Sequence, residues 1–587
     1  METGEATAIY DRKPWLADYP PDVPHTLEYP KRSIWEALVD VASRYGTNTA
    51  FLFQNVPMTF NQVVRHAGAM SQALQRVGVR KGDVVLAFLP NVPHFPVTYY
   101  GALRLGAAIS SAPPTSVERE IGYFLRDSGA RTIVTIDLLY DKIANVWEDA
   151  GVERVIVGEV TDFMPLWMRV VGRLTGKIPK PKQSVPFGGK IIPMRSFLGS
   201  GRGEKIDVRV EPDDVAVLQY TGGTTGTPKA AMLTHENLLA NAHQMLAWFP
   251  QVKVGKETIL GILPFFHVYG LTLVMNAGLL LAARTILIAG GWVPSEVFEA
   301  IRRHHPTVLP GVPTLYVAIL NDERSHHVEL SSIDIAVCGG APLPIEIKRE
   351  FDRVTGGHLY EGYGLTEASP VTHAQPWDER GKLGSIGVPL PGTEARVVDL
   401  ETGRPVPVGE DGELVVRGPQ VMAGYWHRPE ETADVFHDGW LHTGDIARMD
   451  ADGYFFIVDR KKDLIITGGE NIYPREVEEV LFEHPKVKEV AVVGIPHRFG
   501  GEIAKAFVVL KPGETATKRD IVHFASERLA KHKVPRAVEF RSELPKSPSG
   551  KVIRRVLAEE ERAKKRESGE PDAESESAEK GPQTPVV

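Results

Sequence analysis

The stretch YTGGTTGTPKAAMLTHENL (220–238) crowds glycine and threonine ahead of a lysine. Gly222, Gly223 and Gly226 let bare backbone approach anionic oxygens. Thr221, Thr224, Thr225 and Thr227 add hydroxyl donors and Lys229 a point charge, a set suited to polyphosphate. A Walker loop is excluded, because Lys229 stands behind Pro228 instead of a glycine. A helix starting near Thr234 lies too far along for its N-terminus to be the obvious phosphate seat. A plain glycine-threonine turn has the same composition, so the loop alone leaves both readings open.

The elements that would position such a loop alternate helical patterns with short apolar runs. DVVLAFLP (83–90) and RTIVTI (131–136) follow helical stretches, and VAVLQYT, TILIAG and SIDIAVCGG resume the pattern, which predicts βα units and parallel sheet. Repeated units of this kind imply sheets covered on both faces with ligand loops at the strand ends. Between 387 and 417 the texture turns to short strands and turns, a small antiparallel or barrel-like module. After DRKKD (459–463) the pattern restarts with a proline- and acid-led helix at Pro474, two strand-like runs and a helix near 518–531. The expectation is an α/β fold. It has a large N-terminal domain, 1–460, of stacked sheets with helices plus the barrel-like module. A small mobile α+β domain follows, 461–557. Residues 558–587, rich in Glu, Lys, Ser and Pro, are expected to be a disordered charged tail.

At 587 residues the chain exceeds one hydrophobic core, and a formal charge of -8 leaves no global basic surface, so nucleic acid is not an expected partner. The single cysteine, Cys338, cannot form an intrachain disulfide, and no Cys/His cluster has zinc spacing. The opening METGEATAIYDRKPWL carries charge where a secretory leader needs apolar residues, so a cytoplasmic protein is expected. The uncharged interior of 257–284 has the length of a membrane span, but Pro264, His267, Gly270 and Asn276 punctuate it. It reads as a buried strand, a loop and a buried helix. FMPLWMRVVGRLTGKIPKPK (163–182) mixes Trp167 and aliphatics with basic residues and no acid. Peripheral contact with an anionic membrane and an exposed, weakly anchored loop are both open readings of it.

The glycine-threonine loop is followed in order by YEGYGLTE (360–367), DGWLHTGD (438–445), DRKKDLIITGGENIYPREVE (459–478) and LPKSPSGKVIRR (544–555). This series resembles the ordered motifs of the adenylate-forming superfamily of acyl-CoA synthetases, luciferases and peptide-synthetase adenylation domains. It is most similar to bacterial long-chain fatty-acid CoA ligases. The resemblance implies ATP, Mg²⁺ and coenzyme A as the small molecules used. A fatty acid, long-chain or medium-chain, would form acyl-adenylate and pyrophosphate, and coenzyme A would then displace AMP. Two alternatives stand beside this: an acyl-adenylate ligase that hands its product to a carrier protein, and an inactive nucleotide-binding scaffold. A homodimer remains open.

On the same resemblance, Thr221, Gly222, Gly223, Thr224, Thr225, Gly226 and Lys229 hold the β- and γ-phosphates, and Glu367 with Thr221 places Mg²⁺. Tyr363 offers its face to adenine in a slot lined by Gly340, Ala341, Glu361 and Gly362, with Val268 and Thr366 counted among the nucleotide contacts. Asp445 and Arg460 take the ribose. His267, in PFFHVYG, lies near the acyl carboxylate and α-phosphate, and Lys551 bridges ATP and the carboxylate. Lys462 is the hinge on which the C-terminal domain swings, bringing a loop with Gly468, Gly469 and Glu470 to the pantetheine channel. Asn471 stands where some long-chain members carry a tryptophan gate.

Overall fold

The computed structural model describes residues 8–567 except 177, 202, 204, 222–227, 468–469, 498–500 and 547–551. It describes the backbone alone at 326, 466, 470, 471, 496, 497, 501 and 565–567. The runs Val84–Phe88 and Thr132–Ile136 are apolar or β-branched throughout and buried at every position, as a parallel sheet covered on both faces requires. They belong to a seven-stranded sheet, parallel except for its last strand, Ala230–Thr234, which returns beside Val215–Tyr220. A nine-stranded sheet is parallel at its centre, through Arg284–Leu287, Thr258–Gly261, Val308–Gly311, Ile335–Cys338 and His358–Gly364, and antiparallel at both edges. The largest core cluster joins Val85 and Ile109 of one sheet to Phe51 and Ile335 of the other, so the two sheets stack.

Helices that cover these sheets start where the sequence supplies caps. Ser33 with Glu36 and Thr59 with Gln62 form reciprocal capping boxes at Ile34–Tyr45 and Phe60–Arg76. Residues 257–284 fold as the buried strand Thr258–Gly261, a loop, and a buried helical run from Val268 to Leu280 whose middle, Leu271–Asn276, is a π-helix. No helix among the described residues is long and apolar enough to cross a membrane. Cys338 is buried, and burial pushes its thiol pKa well up.

The antiparallel module extends beyond Arg417. Glu394–Val398, Gly412–Arg417, Phe436–His437, Trp440–Met449 and Phe455–Arg460 make one five-stranded sheet. After the turn Lys461–Asp463 a separate cluster, including Ile465, Val477, Val492, Val508 and Ile521, forms the core of a C-terminal sheet-and-helix unit.

The expected tail departs from the sequence reading. A helix runs Arg554–Glu567, across 558, so the chain is ordered past the point where composition placed disorder. Leu557 is fully buried, Arg541 pairs with Glu560 at 2.7 Å and Lys505 with Glu561 at 2.6 Å. A reading from charged composition missed these pairs. Lys505 is itself almost buried, where removing one partner of a charge pair costs more than at an exposed site.

The helix Leu166–Leu174 inverts the usual arrangement. Leu166, Trp167 and Leu174 are 72%, 67% and 82% exposed, and Val170 and Val171 half exposed. Arg169 is largely covered, 3.4 Å from Glu159, and the exposed Arg173 pairs with the same acid at 2.7 Å. A surface helix ordinarily buries the apolar face and presents the charged one.

Candidate active site

Among the described site residues, Thr221, His267 and Gly340 follow the carboxyl ends of parallel strands, where open α/β sheets bind ligands, while Asp445 and Arg460 stand on paired antiparallel strands. Thr221 follows Val215–Tyr220, and its N–H donates to the Lys229 carbonyl at 2.8 Å, closing the base of the loop. Gly222, Gly223, Thr224, Thr225 and Gly226 lie outside the described residues. The Tyr123 hydroxyl fastens the loop's far side by donating to the Pro228 carbonyl at 2.6 Å.

Glu367 stands in the turn Thr366–Ala368. Its Oε1 accepts from the Tyr425 hydroxyl at 2.7 Å, and the Lys229 ammonium lies 5.2 Å from the centre of the same tyrosine ring. Tyr425 is set there by backbone bonds that stitch 422–426 to Ala230–Thr234, including Met232 N–H to the Gly424 carbonyl at 2.8 Å. One phenol therefore joins the phosphate-loop lysine to the candidate metal acid. Nothing in MAGYWH marked it, since an aromatic residue among turns is also ordinary packing. Thr221 and Glu367 offer hard oxygens, and no cation pairs with Glu367 among the described residues. Nor do the described residues contain any three-residue cluster of metal-ligating side chains. Such a sparse set fits Mg²⁺, which keeps waters and takes phosphate oxygens, better than an ion needing a full protein cage.

Asp445 is nearly buried, facing Arg460 across paired strands. Arg460 Nε lies 2.9 Å from its Oδ1, and the Tyr363 hydroxyl donates to its Oδ2 at 2.5 Å. Burial, then the Asp445 charge, holds the Tyr363 pKa far above its usual value, so the phenol remains a donor. A carboxylate accepts about four hydrogen bonds, so Asp445 keeps acceptor capacity for a diol.

Glu361 contributes more than backbone. Its Oε1 accepts from Leu343 N–H at 3.3 Å, which holds the 339–343 turn where Gly340 adopts φ 82°, a conformation that favours glycine. Ala341 is half-buried in that turn. Burial raises the Glu361 pKa to about 7, with the Leu343 bond and the Arg475 charge opposing. The folded protein therefore holds this proton more tightly than the unfolded chain. That contribution to stability is complete below the unfolded carboxyl pKa and lost as pH rises through about 7. Glu361→Gln is expected to match the wild type at pH 4 and exceed it by about 1–3 kcal/mol at pH 8. Denaturant titrations at the two pH values measure this, and a difference that does not change with pH would assign the titration to another group.

His267 precedes the buried turn Val268–Gly270, and its Nδ1 accepts from Tyr269 N–H at 3.2 Å. That bond assigns the ring proton to Nε2, leaving a donor toward the cleft. The residue meets solvent, and the protein packed around the ring lowers its pKa to about 4. The imidazole is thus neutral near pH 7. Asn91 fixes this loop, donating to the Gly261 and Leu263 carbonyls at 3.0 and 2.8 Å and accepting from Phe265 N–H at 2.9 Å. A Cβ at Gly270 would lie 2.4 Å from the Pro264 carbonyl oxygen, so the turn needs glycine.

Two assignments fit less directly. Val268 is fully buried in the core. The lysine singled out at 551, and Gly468 and Gly469, lie outside the described residues. Glu470 is described only in backbone, pairing with Thr467. Lys462 sits exposed in the turn Lys461–Asp463, while its neighbour Lys461 reaches Glu413 at 3.0 Å.

The family model for the AMP-binding enzyme matches residues 38–426, and that for the AMP-binding enzyme C-terminal domain matches 476–551. The chain belongs to the AMP-binding enzyme family. This AMP-binding enzyme is 46% identical over 558 residues to a long-chain-fatty-acid–CoA ligase of Bacillus subtilis, covering 94% of this chain and 99% of the relative. ATP-bound MatB from Rhodopseudomonas palustris overlays it with a TM-score of 0.79 at 29% identity, covering 90% of this chain and 99% of the other. The apo form of MatB, at the same identity and coverage, gives 0.69.

Proposed function

We propose that this AMP-binding enzyme is an ATP-dependent long-chain fatty acid–CoA ligase, forming acyl-adenylate and pyrophosphate and then acyl-CoA and AMP. The observation that carries this is near full-length identity to the Bacillus subtilis ligase, together with the Tyr363–Asp445–Arg460 and Lys229–Tyr425–Glu367 sets in one chain.

In the first half-reaction a carboxylate oxygen attacks the α-phosphorus, and the bond to the β-phosphate bridging oxygen breaks. Lys229 and the Thr221 loop neutralise the departing pyrophosphate, while His267 Nε2–H and Lys551 donate where anionic oxygens crowd. Mg²⁺, held by Glu367 and Thr221, would supply charge neutralisation at phosphate oxygens when bound. Asp445 accepts from the ribose hydroxyls and Tyr363 presents its ring to adenine. In the second half-reaction the C-terminal unit turns about Lys462, and the 467–471 segment lines the thiol's approach. The better overlay on ATP-bound than on apo MatB supports reading the arrangement here as the adenylate-forming one.

The test is pyrophosphate release that requires both a long-chain fatty acid and ATP, followed by thioester formation with free coenzyme A. Adenylate that accumulates and passes only to a carrier protein would replace this reading with the acyl-adenylate ligase.

The inverted helix Leu166–Leu174 docks, on this reading, on an anionic membrane surface where fatty acid collects. Its exposed apolar face enters the interface while Lys180 and Lys182 follow with positive charge. Trp167→Glu together with Leu174→Glu is expected to abolish flotation with phosphatidylglycerol vesicles while leaving synthesis from dissolved substrate intact. Unchanged flotation removes the membrane role.

A further inference from the structure

We propose that Asp459 is a latch, a positioning residue that holds the C-terminal unit in the adenylate-forming arrangement through contacts made across the pivot by Arg475 and Arg554. The inference rests on the domain turning described above and names what biases it.

Asp459 lies in the strand Phe455–Arg460, opposite Ile446 in the antiparallel sheet, so it moves with the larger part of the chain. The pivot turn, Lys461–Asp463, comes next. Arg475 stands in the first turn of Pro474–Phe482 and Arg554 opens the last helix, both in the C-terminal unit. Only 2% of Asp459 is exposed. Its Oδ2 accepts from Arg475 N–H at 2.6 Å, and its Oδ1 takes Arg554 Nη1 at 3.2 Å beside its own neighbour Arg460 N–H at 2.7 Å. Arg475 Nη1 also donates to the Ile457 carbonyl at 2.9 Å.

The rest of the network travels with the C-terminal unit. Glu478 grips Arg554 with bonds of 2.9 and 2.5 Å, and Asp463, in the turn itself, adds one of 3.0 Å. When the unit turns, Arg554 keeps Glu478 but leaves Asp459, and Arg475 leaves both Asp459 and Ile457. A carboxylate so enclosed is stable as an anion only while it has partners, so these contacts exist in one arrangement and must be replaced by water in the other. A contact confined to one of two states shifts their balance by what it contributes there. Arg554 also follows Lys551 by three positions in the sequence, so the same contact ties the segment carrying that lysine to the strand carrying Arg460.

Both half-reactions are measured on the full chain, adenylate formation by pyrophosphate release and thioester formation from supplied palmitoyl-adenylate and coenzyme A. Asp459→Asn keeps the shape and one acceptor but loses the charge that Arg554 seeks. Adenylate formation is expected to fall roughly tenfold while supplied adenylate is consumed at the wild-type rate or faster, and Asp459→Glu to recover part of the loss. Arg475→Gln removes the guanidinium bond to the Ile457 carbonyl and leaves the backbone N–H bond to Asp459, so it is expected to show the same split to a smaller degree, and it reads the contacts across the pivot if the Asp459 variant does not fold. Equal loss of both half-reactions, or loss of neither, overturns the latch. A wild-type chain that performs neither step would instead overturn the ligase reading.

Discussion

Lys551→Ala is expected to lower adenylate formation by roughly a hundredfold or more while still converting supplied acyl-adenylate to thioester. Two anions must meet in the first step, the carboxylate and the triphosphate, and a cation placed between them lowers the barrier where charge gathers. In the second step the attacking group is a thiol and the leaving group AMP, and on the proposed reading the C-terminal unit has turned, so the same ammonium has no comparable part. Thr221, Lys229 and Glu367 remain to bind the phosphates, so the loss falls on kcat more than on the KM for ATP. Pyrophosphate release and thioester formation, measured separately, check the split. Survival of both would return Lys551 to the status of a solvated lysine, and equal loss of both would remove its assignment to the first step.

Asp445→Asn is expected to raise the KM for ATP by roughly a hundredfold, because charge-assisted bonds to both ribose hydroxyls are weakened at once. It also leaves Arg460 without its counter-charge and turns an amide toward the Tyr363 hydroxyl, which donates to Oδ2 at 2.5 Å. Since Arg460 still meets solvent, the structural cost is smaller than for a fully buried pair, about 1–2 kcal/mol. Tyr363→Phe removes the phenol bond but keeps Asp445 free for the sugar, so its effect on ATP should be much smaller. An ATP titration by calorimetry on both variants measures this, and equal weakening would assign Asp445 to packing alone.

The parts legible from sequence were those whose residue types have few other uses. VVLAF and TIVTI are short, β-branched or apolar runs of strand length, and the structure places both in the buried parallel sheet. The parts that escaped depend on tertiary pairing. Tyr425 acquires its role because 422–426 is stitched to Ala230–Thr234, a contact between segments nearly two hundred positions apart. Asp459 resembles any acid at a strand end until Arg475 and Arg554 close on it. The last helix was read as disorder because its composition is charged, yet Leu557 and the pairs to Arg541 and Lys505 anchor it.

Cys338 has no accessible surface, and its sulfur is held protonated. Maleimide and methanethiosulfonate reagents will therefore pass over the native polypeptide, with no background to subtract. A pair of introduced thiols, one on either side of Lys462, can carry fluorophores or spin probes and report the swing in real time.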